Sequence, residues 1–246
     1  MIEQLSIDLT NYCTKQCPFC YNHSQKEGAT LWSPEEVIAF ASDCTNHGVK
    51  AISLGGGEPF EYDGIFEIIH KLYPLCYLTI TTNGLPLNNE RIWKQLAHSH
   101  PDKIHITIHY PESKHEIQRV IGQIQQLTSI GIKSGVNLLV DAEKLEETKV
   151  VYEQLLDYLL PKQIILVPRR YANTPTPRDL AHITSRRAFQ SPSCLLKCEK
   201  PLHFASVSWD KKVNFCSFAP DKHPLLELTF HGLLEALSRI RFRKCY

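Results

Sequence analysis

The sequence carries almost no net charge, no long apolar run and no export signal, and each absence excludes a class of protein. Lysine and arginine number 27 against 26 aspartates and glutamates, a formal charge of +1. So even a balance gives no electrostatic reason to expect a nucleic-acid partner. No apolar run reaches the roughly 18–20 residues that a membrane-spanning helix needs, so no membrane association is expected. The start, MIEQLSIDLT, lacks the basic region and apolar core of a signal peptide, which points to a cytoplasmic protein. With 43% hydrophobic and 22% charged residues, the 246-residue chain has the composition of a folded globular protein rather than a disordered one.

Against a single methionine stand nine cysteines: Cys13, Cys17, Cys20, Cys44, Cys76, Cys194, Cys198, Cys216 and Cys245. Without an export signal, clustered cysteines indicate metal or redox chemistry rather than a disulfide frame. Three lie between positions 13 and 20, and four in the last 53 residues. Cys44 and Cys76 stand alone and are expected to be packing residues.

Residues 1–168 alternate short β-branched apolar runs with amphipathic stretches. The runs are 5–9, 51–54, 77–82, 104–110, 134–140 and 163–168. One helix opens with the capping box Ser33-Pro34-Glu35-Glu36 and stops at Gly48. Another carries Ile117, Val120, Ile121, Ile124 and Leu127 at helical spacing and ends at Gly131. Six strand–helix alternations predict a parallel sheet, with the strands apolar because both faces are covered. Periodicity leaves open whether the sheet is doubly wound or an incomplete barrel. After Pro168 the pattern dissolves into a proline-rich polar junction (169–179). Two short strands (203–209 and 212–216), a helix (231–242) and the four late cysteines follow. A segment with so little apolar pattern needs a staple, such as a metal cluster.

Cys13, Cys17 and Cys20 fall in the loop after the first strand, where parallel βα folds gather their active sites. Three thiolates on a tight loop can hold three irons of a cubane and leave the fourth open. A structural zinc site with His23 as fourth ligand is the alternative on spacing alone. Gly55-Gly56-Gly57-Glu58-Pro59 follows the second strand: adjacent glycines permit close backbone approach, and the carboxylate can receive an ammonium group. Thr81-Thr82-Asn83-Gly84 ends the third strand.

Together, the CX3CX2C loop with Phe19 before its last cysteine, GGEP and TTNG resemble the radical S-adenosylmethionine (radical SAM) superfamily. The resemblance implies an α/β fold, a partial (β/α)6 barrel over 1–180; the late cysteines add a small cluster-binding α+β extension over 181–246. It implies that Cys13, Cys17 and Cys20 bind a [4Fe–4S] cluster whose open iron chelates S-adenosylmethionine. SAM would be contacted by Gly56, Gly57 and Glu58 at its methionine amino end, by the Phe19 main chain at adenine, and by Asn83. One electron, from a flavodoxin- or ferredoxin-type donor, would cleave the sulfonium to a 5′-deoxyadenosyl radical in a dry barrel. His105, Thr107 and His109 share one face of the fourth strand, and Asn137 interrupts the fifth. In the family such residues often reach SAM or substrate; for any single one, a histidine satisfied by the backbone or exposed at the rim is the simpler reading. Arg169, with Arg170, would bind a carboxylate or simply be a solvated linker pair.

Cys194, Cys198, Cys216 and Cys245 supply the four thiols of a closed cluster. With the hairpin around Asp210-Lys211-Lys212 and the final helix they resemble the Twitch/SPASM extension, which implies a second, auxiliary [4Fe–4S] cluster. Departures are the missing hairpin glycine and the unpaired final cysteine; structural zinc and independent thiols are the other readings. Such relatives mostly perform oxidative or bond-forming modification of ribosomal peptides, sometimes with a separate leader-peptide-binding protein. A fused leader-binding domain is not expected, because the chain starts almost at its first strand. The alternatives are a sugar or aminocyclitol dehydrogenase, a glycyl-radical activase and a non-catalytic metal-binding module. The basic run 239–244 either complements its own helix dipole or docks an acidic partner.

Overall fold

The computed structural model describes residues 2–170, 172–192 and 198–243. In chain order its elements are β1 (Gln4–Asp8), α1 (Pro34–Asn46), β2 (Ala51–Gly55), α2 (Ile65–Leu72), β3 (Tyr77–Thr82), α3 (Glu90–His98), β4 (Lys103–Ile108), α4 (Lys114–Ser129) and β5 (Lys133–Val140). There follow α5 (Leu145–Leu155), β6 (Ile164–Pro168), α6 (Pro177–Ile183), β7 (Phe204–Val207), β8 (Lys212–Asn214), β9 (His223–Pro224) and α7 (Phe230–Ser238). The six expected strand–helix alternations are present. Among the described residues no helix is long and apolar enough to cross a membrane.

The described chain divides into two compact units. The first takes in the residues up to 102 together with those from 200 onward. In it β1 pairs in parallel with β2 on one side and with β7 on the other, β2 pairs with β3, and β8 and β9 extend the edge antiparallel. The second unit, residues 103–199 as described, holds the parallel set β4, β5 and β6.

Local signals set the helices. Ser33 Oγ accepts from the Glu36 N–H and Glu36 answers on the Ser33 N–H, so the capping box forms with Pro34 in the first turn. In α4, Ile117, Val120, Ile121, Ile124 and Leu127 are all buried. At roughly 1.5–3 kcal/mol per fully buried aliphatic side chain, that stripe docks the helix.

The strands correct one expectation. Only one face is apolar and buried: Ile52 and Leu54 on β2, Leu78 and Ile80 on β3, Ile104, Ile106 and Ile108 on β4. The alternate positions Ser53, Gly55, Thr79, Thr81, Lys103, His105 and Thr107 are half-exposed. These alternate positions carry hydroxyls, an ammonium and an imidazole, which need hydrogen-bonding partners wherever they are covered. The strands are therefore not apolar on both faces, although their compositions led one to expect it.

The β7–β8 turn shows how its missing glycine is replaced. Lys211 adopts φ = +56°, a left-handed conformation that costs a side-chain-bearing residue about 1–2 kcal/mol. Its ammonium lies 2.6 Å from Glu36 and 5.2 Å from the Trp32 ring, and these contacts offset part of the strain. Lys211→Ala keeps the strain and loses the contacts, whereas Lys211→Gly loses both. The glycine variant is therefore expected to be about 1 kcal/mol more stable than the alanine variant by urea denaturation. The reverse order would show that the turn is not strained.

Candidate functional site

The loop after β1 is tied down over its whole length. Leu9 N–H donates to Gly55, Asn11 accepts from Ala29 through its side chain at 2.6 Å, and Cys13 N–H donates to Gln25. Gly28 is required here: a Cβ would sit 2.3 Å from the Asn11 carbonyl oxygen. Glu61 holds the front of the loop, accepting from Thr14 N–H at 3.0 Å and from its hydroxyl at 2.5 Å. A tight turn, Cys20 N–H to Cys17 C=O at 3.1 Å, shapes the back.

Cys13 is buried, and Cys17 and Cys20 are half-buried. Burial pushes the Cys13 thiol up, while the Lys15 and Gln16 main-chain N–H groups donate to its sulfur and pull the other way. Three soft thiols on one loop, with N–H groups aimed at the buried sulfur, fit an iron–sulfur cluster in donor chemistry. They share the loop without converging, since among the described residues no three His, Cys, Asp or Glu side chains are gathered into a metal-binding group. His23, the alternative zinc ligand, is exposed.

The glycines of GGEP have a structural reason beyond any ligand. Gly56 has φ = +108°, and a Cβ at Gly57 would fall 2.0 Å from the Tyr12 carbonyl oxygen. That closeness lets Gly57 N–H reach Thr10 C=O at 2.6 Å and Glu58 N–H reach Tyr12 C=O at 2.9 Å. Glu58 is fully buried. One carboxylate oxygen accepts from Phe60 N–H and the Thr82 hydroxyl at 3.1 and 2.7 Å, and the other from Asn83 N–H at 2.7 Å. Burial pushes its pKa up to about 7 against those three bonds. The carboxylate expected to receive an ammonium group is thus engaged inside the protein, fastening GGEP to TTNG.

Asp8, set among the apolar residues of β1, is also buried. Burial raises its pKa to about 6, opposed by Lys222 and a hydrogen bond with Tyr21. The Tyr21 ring lies 4.8 Å from Phe218. Asp8 and Glu61 are site residues that sequence reasoning passed over; a carboxylate interrupting an apolar strand was the available signal for Asp8.

Phe19, on the cysteine loop of the first unit, is half-buried; the other expected SAM contacts lie in the second unit. His105 Nδ1 faces Asn137 Oδ1 at 3.2 Å, and burial, with Lys103 beside it, lowers its pKa to about 4, so the ring is neutral near pH 7. Thr107 stands opposite Asn137 in register. His109 N–H donates to the buried Glu116 at 3.0 Å, and its ring lies 3.6 Å from the same oxygen. Arg169 is ion-paired with Asp141, so it is not a bare linker charge. Cys44 and Cys76 have thiols pushed up by burial to about 12 and 11, as packing residues should. Of the late cysteines, Cys194 and Cys245 lie outside the described residues, while Cys198 and Cys216 are half-buried in different units. At the basic end, Arg239 pairs with Glu235 and Arg243 with Asp221.

Parallel strands alternating with helices, and a three-cysteine loop clasped by two glycine turns at the strands' carboxyl ends, define a cofactor-binding α/β protein. The description of the radical SAM superfamily matches residues 7–147, more than half of the sequence. The chain belongs to that superfamily, whose members use a [4Fe–4S] cluster and SAM. It is 26% identical over 174 residues to a probable GTP 3′,8-cyclase of Methanocella arvoryzae, covering 67% of this chain and 55% of that one. The chain thus spans about half the length of the curated relatives it matches. Among solved structures it resembles Streptococcus suis SuiB bound to its precursor peptide SuiA, with TM-score 0.71, 17% identity, and 89% and 60% of the two chains covered. It also resembles anSMEcpe with bound AdoMet, with TM-score 0.65, 14% identity and 96% and 78% covered. The expected fold class is the one these neighbours share.

Proposed function

We propose that Cys13, Cys17 and Cys20 hold a [4Fe–4S] cluster, that the turns at 55–58 and 82–84 hold SAM beside it, and that the chain modifies a ribosomal peptide by hydrogen abstraction. The observation that carries this reading is the direct fastening of the cysteine loop to GGEP, and of GGEP to TTNG through Glu58. Bound there, the two groups supply one-electron cleavage of SAM, with the electron arriving from a flavodoxin- or ferredoxin-type donor. The chain's own residues hold and orient. Glu61 fixes the front of the ligand loop through Thr14, the glycines bring two backbones together, and Glu58 sets the spacing of the two SAM turns. Phe19, His105, Thr107, His109, Asn137 and Arg169 are the further proposed contacts, and the four late cysteines the proposed ligands of an auxiliary cluster. Such a cluster would accept an electron from a substrate radical, favouring net oxidation or bond formation. The division 1–180 and 181–246 is the corresponding module boundary.

The peptide reading draws support from the likeness to SuiB with its precursor peptide. The sequence likeness to probable GTP 3′,8-cyclases favours a second reading, a nucleotide substrate. Anaerobic reconstitution of the wild type and of a Cys13/Cys17/Cys20→Ala variant tests the common part. The variant is expected to lose about four irons and all 5′-deoxyadenosine formed with a chemical reductant. Full iron in the variant, or no SAM cleavage by the wild type, would remove the reading. Added GTP that raises 5′-deoxyadenosine formation above background would decide for the nucleotide.

A further inference from the structure

Asn83 connects the third strand's turn to the first cysteine. Its side-chain Nδ2 lies 3.5 Å from Cys13 Sγ, with both residues buried. The orientation of this amide is fixed by its other end. Asn83 Oδ1 accepts from Leu85 N–H at 2.7 Å, so exchanging the amide's O and N would set a donor against a donor. The Asn83 main-chain N–H is held by Glu58 at 2.7 Å. Nδ2 therefore has to face the sulfur, and the residue has little freedom to turn away. The Lys15 and Gln16 main-chain N–H groups donate to the same sulfur.

We propose that Asn83 is a positioning residue whose side-chain N–H donates to Cys13 Sγ and raises the reduction potential of the cluster held by that sulfur. This rests on the reading of Cys13 as a cluster ligand. The physical reason is electrostatic. Reduction adds one electron, from an external donor, and part of its charge falls on the ligand sulfurs. A buried N–H dipole aimed at a sulfur stabilises the reduced form more than the oxidised one. The role differs from contact with SAM and is exerted whether or not SAM is bound.

The test is the midpoint potential of the reconstituted cluster, measured without SAM by reductive titration followed by electron paramagnetic resonance, with iron counted for each protein. Wild type is compared with Asn83→Ala and Asn83→Asp; the aspartate keeps the acceptor for Leu85 and removes the donor toward sulfur. Both variants are expected to move to more negative potential, by about a tenfold fall in the reduced-to-oxidised ratio at fixed potential, roughly 59 mV for one electron. An unchanged potential in Asn83→Ala with full iron overturns the proposal. Loss of iron from both variants with the fold intact by circular dichroism also overturns it, because Asn83 would then build the loop rather than tune it. A Cys13→Ala chain that keeps full iron removes the ligand reading itself, a result separable from the others.

Discussion

Gly57→Ala is expected to lose about 3–5 kcal/mol of stability, and with it iron loading. A methyl group there would lie 2.0 Å from the Tyr12 carbonyl oxygen, a backbone atom that cannot rotate aside. The two loops must separate, breaking the Gly57-to-Thr10 and Glu58-to-Tyr12 bonds. Each bond contributes about 1 kcal/mol, and overpacking adds about 1–3 kcal/mol. Against a typical total of about 5–15 kcal/mol, that is a large fraction. Urea denaturation measures it, with Gly122→Ala as the control. Gly122 lies in α4 with nothing within 4 Å of its would-be Cβ, and alanine there is expected to stabilise by about 0.5–1 kcal/mol. Equal effects at the two positions would refute the close-approach account.

The second large effect is at Glu58. Its folded pKa is about 7 against 4.5 for an exposed glutamate, so the folded state binds the extra proton between those values. Stability from this group is greatest below about pH 4.5 and falls as the pH rises to about 7, by up to about 3 kcal/mol in order of magnitude. Glu58→Gln is expected to abolish that slope. At low pH, where wild-type Glu58 is a neutral acid, the variant is expected to lie close to wild type, since the acid and the amide each keep one acceptor oxygen and one donor group among the same partners. Glu58→Ala leaves the Phe60, Thr82 and Asn83 donors buried without acceptors and is the more damaging change. Melting temperatures from pH 4 to 8 for wild type and Glu58→Gln provide the check. Asp8, with its pKa raised to about 6, contributes in the same window to both proteins, so the difference between them isolates Glu58. Parallel profiles would exclude a titrating Glu58.

Much of this organisation is legible in the sequence because it is local. The capping box at Ser33 and the α4 stripe each lie within a few turns of chain, and they formed as read. The three glycine- and cysteine-bearing turns follow their strands directly, so order and spacing alone brought out the family. The polar strand face was harder to see. Ser53, Thr79 and Thr107 are small or β-branched and sit comfortably in strands, so they do not interrupt an apolar-looking run even though they occupy the opposite face.

By itself, the sequence determined the alternation of strands and helices, the start of α1 at its capping box and the identity of the three candidate ligands, since propensity, capping and periodicity act within short windows; the last helix, expected over 231–242, ends at Ser238. Tertiary structure decided which groups those residues meet. It paired β7, some 200 residues distant, with β1, and it used the Glu58 carboxylate to join two turns. It also turned the Asn83 amide toward Cys13. These outcomes depend on burial, which sets the cost of an unpaired polar group and so obliges residues far apart in sequence to find one another.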